Sequence, residues 1–542
     1  TMSTAPPLQT LEIKTDDSGF YRGFNTFVAI GSKCLIGLLI LWAAVFQDQA
    51  GAALSSLNSF LLGHFGHWYM YVVFFYILVC LALALWPTAG KIHLGQPGEK
   101  PEFNNFSWFS MMFGAGIGIG MLTYATAEPI YHFDNNPDVI RGMAMAETLE
   151  NVRPAFKWSF LHWGLSAWAC YALVGLTLAF FSYNRGLPLT IRSGLTPLFG
   201  KALSGPLGHV IDIISVIATI LGVSVTIGYG VSQFTSGMFN ITGAGWMMDE
   251  AGSPTLVAMI LALVVVMGAS TVSALSGVGR GIKWLSNINM SLSFFLLAFF
   301  ILFGSTIFVF KSLVVGVWDY LLALIPMSVV VWAGDGTETG DALAGWQGGW
   351  TIFYWAWWIA FAPFVGLFLA RISRGRSMRE FVLGAMIVPA MMCFIWFAFV
   401  GGTAIDLELS GEAGRQILDT PSISSQLFAT INVMLPPTLA LGMSVVIVIL
   451  LLTFLVTSAD SAVLIINTIA AAGDASQKKS HHIIVWGLAL TLVIGVLLVA
   501  GGLSAINTAM IIGALPFSMV MALMGISLLK AVIEESGRTK QE

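Results

Sequence analysis

Residues 348–376 read GGWTIFYWAWWIAFAPFVGLFLARISRGR, and this segment carries the strongest structural signal in the chain. Four tryptophans fall within nine residues, from Trp350 to Trp358, in an apolar run that contains Pro363 and ends in arginines. Indole faces attract cations that donate no hydrogen bond. Proline frees backbone carbonyls, which at membrane depth is tolerated only beside protein or a cavity. The stretch therefore predicts a membrane-spanning helix that lines a cation-binding cavity.

The whole chain has the composition of a membrane protein. Of its 542 residues, 57% are hydrophobic and 10% are charged, whereas a soluble protein carries about 25% charged residues. The formal net charge of −4 offers no basic face of the kind that nucleic acid requires. No nucleophile–base pair and no His/Cys cluster with metal-ligand spacing stands out. We predict an all-α integral membrane protein that is not an enzyme and has no nucleic-acid partner.

Long apolar runs predict twelve transmembrane helices, since a helix of about 20 residues crosses a bilayer. The runs lie near 26–47, 68–89, 107–127, 155–183, 207–239, 254–276, 285–312, 349–372, 380–404, 437–471, 482–503 and 505–530. The run 313–332 mixes apolar residues with an aspartate and a proline, which predicts an amphipathic helix at the membrane surface. The membrane domain 26–530 then lies between two tails, 1–25 and 531–542.

Loop charges alternate along these twelve spans. Basic residues gather in every second loop, as in the cluster from Arg371 to Arg379, and acidic residues such as Glu147 and Glu150 gather in the others. Because basic loops stay in the cytoplasm, this alternation predicts that both termini are cytoplasmic. A miscounted span would have scrambled the alternation.

Two of the spans carry residues that interrupt helices. Span three contains four alternating glycines, from Gly114 to Gly120, and span eight contains APFVG at 362–366. Close helix packing is the alternative explanation for the glycines. Paired interruptions in spans of opposite orientation indicate an inverted-repeat transporter with a site at the membrane midplane. We predict a LeuT-like five-plus-five arrangement of 107–312 and 349–530, with two peripheral N-terminal helices.

The tryptophan-rich stretch, the glycine-rich span and Thr457–Ser461 (TSADS) together resemble the betaine/choline/carnitine transporter (BCCT) family. The resemblance covers essentially the whole chain and is closest to the sodium-coupled glycine-betaine branch. It implies a secondary active transporter of the bacterial inner membrane that imports an osmolyte with Na⁺ by alternating access. It also implies a homotrimer within the lipid, with Na⁺ as coupling ion and no cofactor.

This resemblance places a cage for a trimethylammonium group on spans four and eight. Trp163, Trp168 and Tyr171 match its rings in HWGLSAWACY, and Trp358 matches its ring on span eight. On one continuous helix the three span-four rings fall within about 140° of arc, so that a single face presents them all. Packing or interfacial tryptophan is the alternative interpretation.

Other aromatic residues of span eight are candidates for the permeation path. Phe361 stands where the family often has another tryptophan, and it keeps a ring face for the substrate. Phe364 and Phe368 are candidates for gate or packing residues, and Trp355 and Trp357 for path or packing residues.

The glycine stretch also indicates the charge of the substrate. Choline-type members of the family carry an acidic residue there, whereas this chain has Gly120 at the matching place. A zwitterion brings its own counter-charge, and the amides of an unwound segment at Gly118 and Gly120 can receive its anionic end. The expected substrate is glycine betaine, trimethylamine N-oxide or dimethylsulfoniopropionate.

Sodium is a hard cation that prefers oxygen ligands. The resemblance implies one site formed by the hydroxyls of Thr457 and Ser458 and by backbone carbonyls at Gly114, Ile117 and Phe454. A second site is represented by Thr219, but Val223 stands where another hydroxyl is expected. Hydroxyls bonded to their own helix are the alternative interpretation.

Other functions stay open at this point. A sodium-independent carnitine or betaine exchanger, a choline transporter, and a membrane sensor or channel use similar cages. Glu128 and His162 are interpreted as structural residues.

Overall fold

The computed structural model describes residues 7–276 and 281–539, and over these ranges the chain is helical with no β-strand. The predicted tail residues 1–6 and 540–542 lie outside the described residues. The helices are long and apolar, and the prediction of an all-α integral membrane protein is confirmed.

Nineteen α-helices follow one another along the described residues. They are α1 Thr26–Val45, α2 Gln47–Leu85, α3 Asn105–Ala115, α4 Ile119–Asp134, α5 Pro137–Ile140, α6 Val152–Trp163, α7 Leu165–Ala179, α8 Thr196–Phe199, α9 Pro206–Thr242, α10 Leu256–Leu275, α11 Gly281–Phe303, α12 Thr306–Val329, α13 Glu338–Gln347, α14 Phe353–Ile372, α15 Met378–Trp396, α16 Gly402–Leu409, α17 Gln426–Met434, α18 Pro437–Ala470 and α19 Ser480–Thr539.

Eleven of the described helical segments are long and apolar enough to cross a membrane, and the bent pair α3–α4 brings the number to twelve. This equals the predicted number, but two members differ. Helix α19 contains both of the last predicted spans, joined at Gly501 and Gly502, where the backbone leaves the helical region. Helix α12, which covers most of the predicted surface helix, is counted as a candidate span in place of one of these two.

The predicted boundary between span seven and the surface helix is wrong. Helix α11 ends at Phe303 and α12 begins at Thr306, whereas the sequence suggested a change near residue 312. The chain turns at Gly304, whose backbone N–H donates to the Phe300 carbonyl. Apolar residues run through this turn, so hydropathy does not reveal it. Only 17% of the most apolar stretch of α12 is buried, and its place at the membrane surface stays a prediction.

Span three is broken where the glycines predicted. Helix α3 ends at Ala115, α4 begins at Ile119, and their axes differ by 58°. Gly118 between them is fully extended, with φ −170° and ψ −174°. The packing explanation also holds at Gly116, because a Cβ there would lie 2.8 Å from the Pro389 carbonyl oxygen.

Span eight, in contrast, is not interrupted at 362–366. Helix α14 continues through Pro363 to Ile372, which corrects the predicted break. Gly366 serves helix packing instead: a Cβ on Gly175 of α7 would lie 2.9 Å from the Gly366 carbonyl oxygen. Since only one of the two paired interruptions is present, the inverted repeat of 107–312 and 349–530 stays a prediction.

An unpredicted break divides span four at Gly164. Trp163 is the last residue of α6, and Leu165 begins α7. The Leu165 backbone N–H donates to the Tyr320 hydroxyl of α12 at 2.8 Å. The prediction that one continuous helix face presents all three span-four rings is therefore wrong, since Trp163 belongs to a different helix from the other two.

Loops that were predicted to share a side of the membrane contact each other. Arg374 pairs with Glu99 at 2.7 Å at one end of the bundle, and Arg415 pairs with Glu147 at 2.6 Å at the other. Hydrogen bonds from the Arg415 guanidinium lower the pKa of the Glu147 carboxyl. These pairs join segments that are distant in sequence at each end of the helices.

Candidate substrate and ion site

A cavity of about 310 Å³ lies beside the break between α3 and α4. Helices α6, α7, α9, α11, α14 and α18 complete its walls. All seven predicted substrate residues line it, and they are Gly118, Gly120, Trp163, Trp168, Tyr171, Trp358 and Phe361. The size is typical of small-molecule sites, which begin at about 300 Å³.

Four aromatic rings form a cage within this cavity. The ring centroids of Trp163 and Trp358 lie 4.9 Å apart at 69°, and those of Tyr171 and Trp358 lie 6.1 Å apart at 72°. Trp168 meets Tyr171 at 5.1 Å and 76°. Edge-to-face contacts of this kind hold ring faces toward a shared space. The break at Gly164 keeps the three span-four rings together, although they belong to two helices.

Three of the four predicted path residues also line the cavity. Trp357 stacks on Trp358 at 4.9 Å, and Phe361 stacks on Phe364 at 4.7 Å. Phe368, one turn farther along α14, is 41% exposed. The aromatic lining thus continues from the cage toward the arginine-bearing end of α14.

The N-terminus of α4 faces the cage. No side chain caps it at Gly118, and the first helical bond comes from the Leu122 N–H. The amides of Ile119, Gly120 and Met121 are therefore free to donate, and a helix N-terminus favours an anion. A Cβ on Gly120 would lie 3.0 Å from a Trp357 ring carbon, so the missing side chain lets the rings approach these amides.

Oxygen atoms gather on the other side of the break. Five predicted sodium ligands line the cavity, and they are Gly114, Ile117, Phe454, Thr457 and Ser458. The Thr457 hydroxyl contacts its own helix through the Thr453 and Phe454 carbonyl oxygens, at 3.0 and 3.1 Å, which is the alternative that the sequence left open.

Asn289 of α11 is a lining residue that sequence reasoning missed. Its Nδ2 donates to the Thr457 hydroxyl at 3.2 Å, and its buried Oδ1 has no hydrogen-bond partner. Its position as a polar residue inside the apolar span seven was the available signal. Asn289 adds a further oxygen to the group around Thr457.

A family comparison agrees with this geometry. Residues 27–537 match the model of the BCCT, betaine/carnitine/choline family transporter. The chain belongs to the BCCT family. It is 36% identical to the glycine betaine transporter OpuD of Bacillus subtilis over 506 residues, which cover 93% of each chain. It is 35% identical to the osmo-independent choline transporter BetT1 of Acinetobacter baylyi over 518 residues, which cover 94% of each chain.

Two predicted residues lie away from the cavity of this BCCT transporter. Thr219 of α9 is fully buried, and its hydroxyl donates to the Ser215 carbonyl oxygen at 2.7 Å. Trp355 is not among the residues that line the cavity, and its ring meets the His162 ring at 5.9 Å. The sequence placed both residues on the correct helices. It did not show that their side chains lie on helix faces outside the cavity.

Behind the cage, the BCCT transporter buries the carboxylate of Glu128 completely. Its Oε1 accepts hydrogen bonds from Trp163 Nε1 at 2.8 Å and from the Tyr354 hydroxyl at 2.5 Å. Its Oε2 contacts His162 Nδ1 at 2.6 Å and His132 Nε2 at 3.0 Å. The structural role expected for Glu128 and His162 is consistent with these bonds, whereas the contributions of Tyr354 and His132 were not predicted.

Glu128, His132 and His162 also form a group that could hold a metal ion, with ligand atoms within 4.8 Å of one another. The sequence did not suggest this cluster, because His162 joins the other two residues only when α6 packs on α4. Both ring nitrogens contact the same carboxylate oxygen, at distances normal for hydrogen bonds. We therefore describe the group as a hydrogen-bond network.

Proposed function

We propose that this BCCT transporter imports a methylated onium zwitterion, of the glycine betaine type, by sodium symport. The observation that carries the proposal is the pairing of the aromatic cage with the free amides of α4. The cage suits a cation without donors, and the amides suit an anion. No aspartate or glutamate is among the described residues that line the cavity. A bare cation such as choline would lack a counter-charge among these lining residues.

Sodium coupling is proposed on the oxygen atoms around Thr457. Thr457, Ser458, Gly114 and Ile117 all line the cavity that also holds the cage, so their hydroxyl and carbonyl oxygens are the candidate ligands. An ion bound there draws the broken helix toward α18 and thereby stabilises the amides that receive the substrate. Thr219 is a candidate for a second ion site only if α9 rotates.

The proposed orientation places both termini in the cytoplasm of a bacterial cell, with the transporter in the inner membrane. The cavity continues toward half-exposed Phe368, whereas Tyr124, Tyr354 and Trp350 close the other side with ring contacts of 5.4 to 6.0 Å. The described conformation is then inward-facing. We further propose a homotrimer in which α12 lies at the membrane surface.

Uptake by proteoliposomes tests the proposal. Labelled glycine betaine, trimethylamine N-oxide, dimethylsulfoniopropionate, choline and carnitine are supplied with and without an inward sodium gradient. We expect sodium-dependent accumulation of the zwitterions and little accumulation of choline. The choline transporter of Acinetobacter baylyi, 35% identical to this chain, makes choline the second candidate. Preferred choline uptake, or betaine exchange that ignores sodium, contradicts the proposal.

A further inference from the structure

Glu128 lies outside the cavity, on the side of the Trp163 indole that carries its N–H. It bonds to the indole N–H of Trp163, whose ring faces the cavity. We propose that Glu128 is a positioning residue that also supplies charge: through Trp163 it strengthens the attraction of the cage for the onium group. This inference rests on the proposed function and deepens it.

The geometry of the carboxylate supports its ionised form. Four groups surround its two oxygens, and two of them, the Trp163 N–H and the Tyr354 O–H, act as donors. His162 and His132 complete the shell when each carries a proton on the nitrogen that faces Glu128. Carboxylates accept up to about four hydrogen bonds when ionised. A complete shell of donors is the usual condition for burying a charge.

One oxygen of Glu128 holds two walls of the cage together. Oε1 accepts from Trp163 on α6 and from Tyr354 on α14. Tyr354 in turn stacks on Trp358 at 5.3 Å and 19°. The Trp358 N–H donates to the His162 carbonyl oxygen at 2.8 Å. The rings from α6 and α14 are therefore set against each other by bonds that begin at a single carboxylate.

The bond to Trp163 also changes the indole as a partner for a cation. An anion that accepts from an indole N–H shifts electron density toward the ring, and in a buried site such polarisation is strong. The more negative ring face attracts an onium group more strongly. Trp168 and Trp358 lack this advantage: the Trp358 N–H bonds to a neutral carbonyl, and the Trp168 N–H faces the Cys393 thiol.

A ligand pair separates charge from mere positioning. Glycine betaine and tert-butylacetate have nearly the same shape and the same carboxylate, but carbon replaces the quaternary nitrogen in the second. A purely structural role of Glu128 affects both ligands equally. Loss of the charge weakens the binding of betaine alone. The measured quantity is the ratio of the two dissociation constants, determined on purified protein in lipid nanodiscs by tryptophan fluorescence.

For Glu128→Gln we expect betaine to bind about tenfold more weakly. Binding of tert-butylacetate should stay unchanged or become tighter, because a negative charge has been removed near an anion. Tyr354→Phe is the matched control, since it removes one bond to the same oxygen and leaves the charge in place. It should shift both ligands by the same factor and leave the ratio unchanged.

A second comparison applies even where Glu128→Gln does not fold. Trp163→Phe and Trp168→Phe each remove one cage indole, but only the first removes a bond to the carboxylate. The betaine preference should fall further in Trp163→Phe. Where Glu128→Gln does fold, adding it to Trp163→Phe should change the betaine preference little.

The outcomes are distinct. Equal losses for both ligands in Glu128→Gln, or equal betaine preference in the two tryptophan variants, overturn the inference while the proposed function stands. Wild-type protein that fails to bind betaine overturns the proposed function and this inference with it.

Discussion

At the scale of single residues, Trp358 belongs both to the cage and to its frame. Its ring faces Trp163 and Tyr171, and its N–H donates to the His162 carbonyl oxygen. Trp358→Ala removes a ring face worth about 0.5 to 2 kcal/mol and loosens the neighbouring rings. We expect betaine uptake to weaken by about tenfold or more, measured as the KM of labelled uptake.

The control for Trp358 is a tryptophan outside the cage. Trp246 is 53% exposed, and Trp246→Ala should leave the KM for betaine unchanged. An unaltered KM in Trp358→Ala would contradict the assigned cage.

Thr457 provides the corresponding test for the ion. Thr457→Ala removes a hydroxyl oxygen from the proposed sodium site, so the sodium concentration for half-maximal betaine uptake should rise by about tenfold. Thr468→Ala is the control, because Thr468 lies on the same helix but is not among the cavity-lining residues, and its hydroxyl donates to the Leu464 carbonyl oxygen. Identical sodium dependence in the two variants would remove Thr457 from the ion site.

The sequence predicted which residue types form the cavity better than it predicted which individual residues line or support it. Trp163, Trp168, Tyr171 and Trp358 are recognisable as rings on two spans, and all four line the cavity. Trp355 does not line the cavity. The spacing of the tryptophans on α14 could not reveal this, because it does not show which of them face the cavity. Residues such as Asn289, His132 and Tyr354 were missed, since their partners lie on other helices.

At the scale of helices, glycine and proline residues were an incomplete guide to where the helices break. The glycines of span three mark a real break, but Pro363 is accommodated inside α14, and the unpredicted break lies at Gly164. A single glycine, here between Trp163 and Leu165, gives no signal in one sequence. The backbone N–H that the break leaves free at Leu165 is satisfied by Tyr320, which lies on a helix far along the chain.

Tyr320 should therefore stabilise the break in span four. Tyr320→Phe leaves the Leu165 N–H without its acceptor, and an unsatisfied donor costs about 1 to 3 kcal/mol. We expect a lower thermal denaturation temperature of the purified protein in nanodiscs, together with weaker betaine binding. Tyr71→Phe is the control, as Tyr71 is 50% exposed. Equal denaturation temperatures would mean that the break is held by other contacts.

The approach of α7 to α14 gives a second test at this scale. A Cβ on Gly175 would lie 2.8 Å from a Phe381 ring carbon and 2.9 Å from the Gly366 carbonyl oxygen. Gly175→Ala must push the two helices apart, and overpacking of this kind costs about 1 to 3 kcal/mol. The thermal denaturation temperature should fall. Gly37→Ala of α1, where a Cβ meets nothing within 4 Å, should not lower it.

At the scale of the whole molecule, the proposed sodium symport would set a limit on accumulation. One entering Na⁺ releases about 2.3 kcal/mol per 100 mV of membrane potential and about 1.4 kcal/mol for each tenfold sodium gradient. Together these support a betaine gradient on the order of several hundredfold. Two ions would roughly square it.

Accumulation in proteoliposomes therefore reports the number of coupled ions. With the potential fixed by a potassium diffusion gradient, the logarithm of the betaine ratio should rise with the logarithm of the sodium ratio, with a slope equal to that number. A slope near one agrees with the single group of oxygens at Thr457, and a slope near two calls for a second site. A slope of zero contradicts symport.

The position of Tyr320 has a practical meaning for work on this protein. Helix α12 has the smallest buried share of all candidate spans that the structure describes, yet its tyrosine is wholly buried against Gly164, beside the cage. The side chain of Tyr320 thus connects α12 to the helix break beside the cavity. If α12 lies at the membrane surface as proposed, bilayer thickness and lipid composition become experimental variables in every affinity measurement.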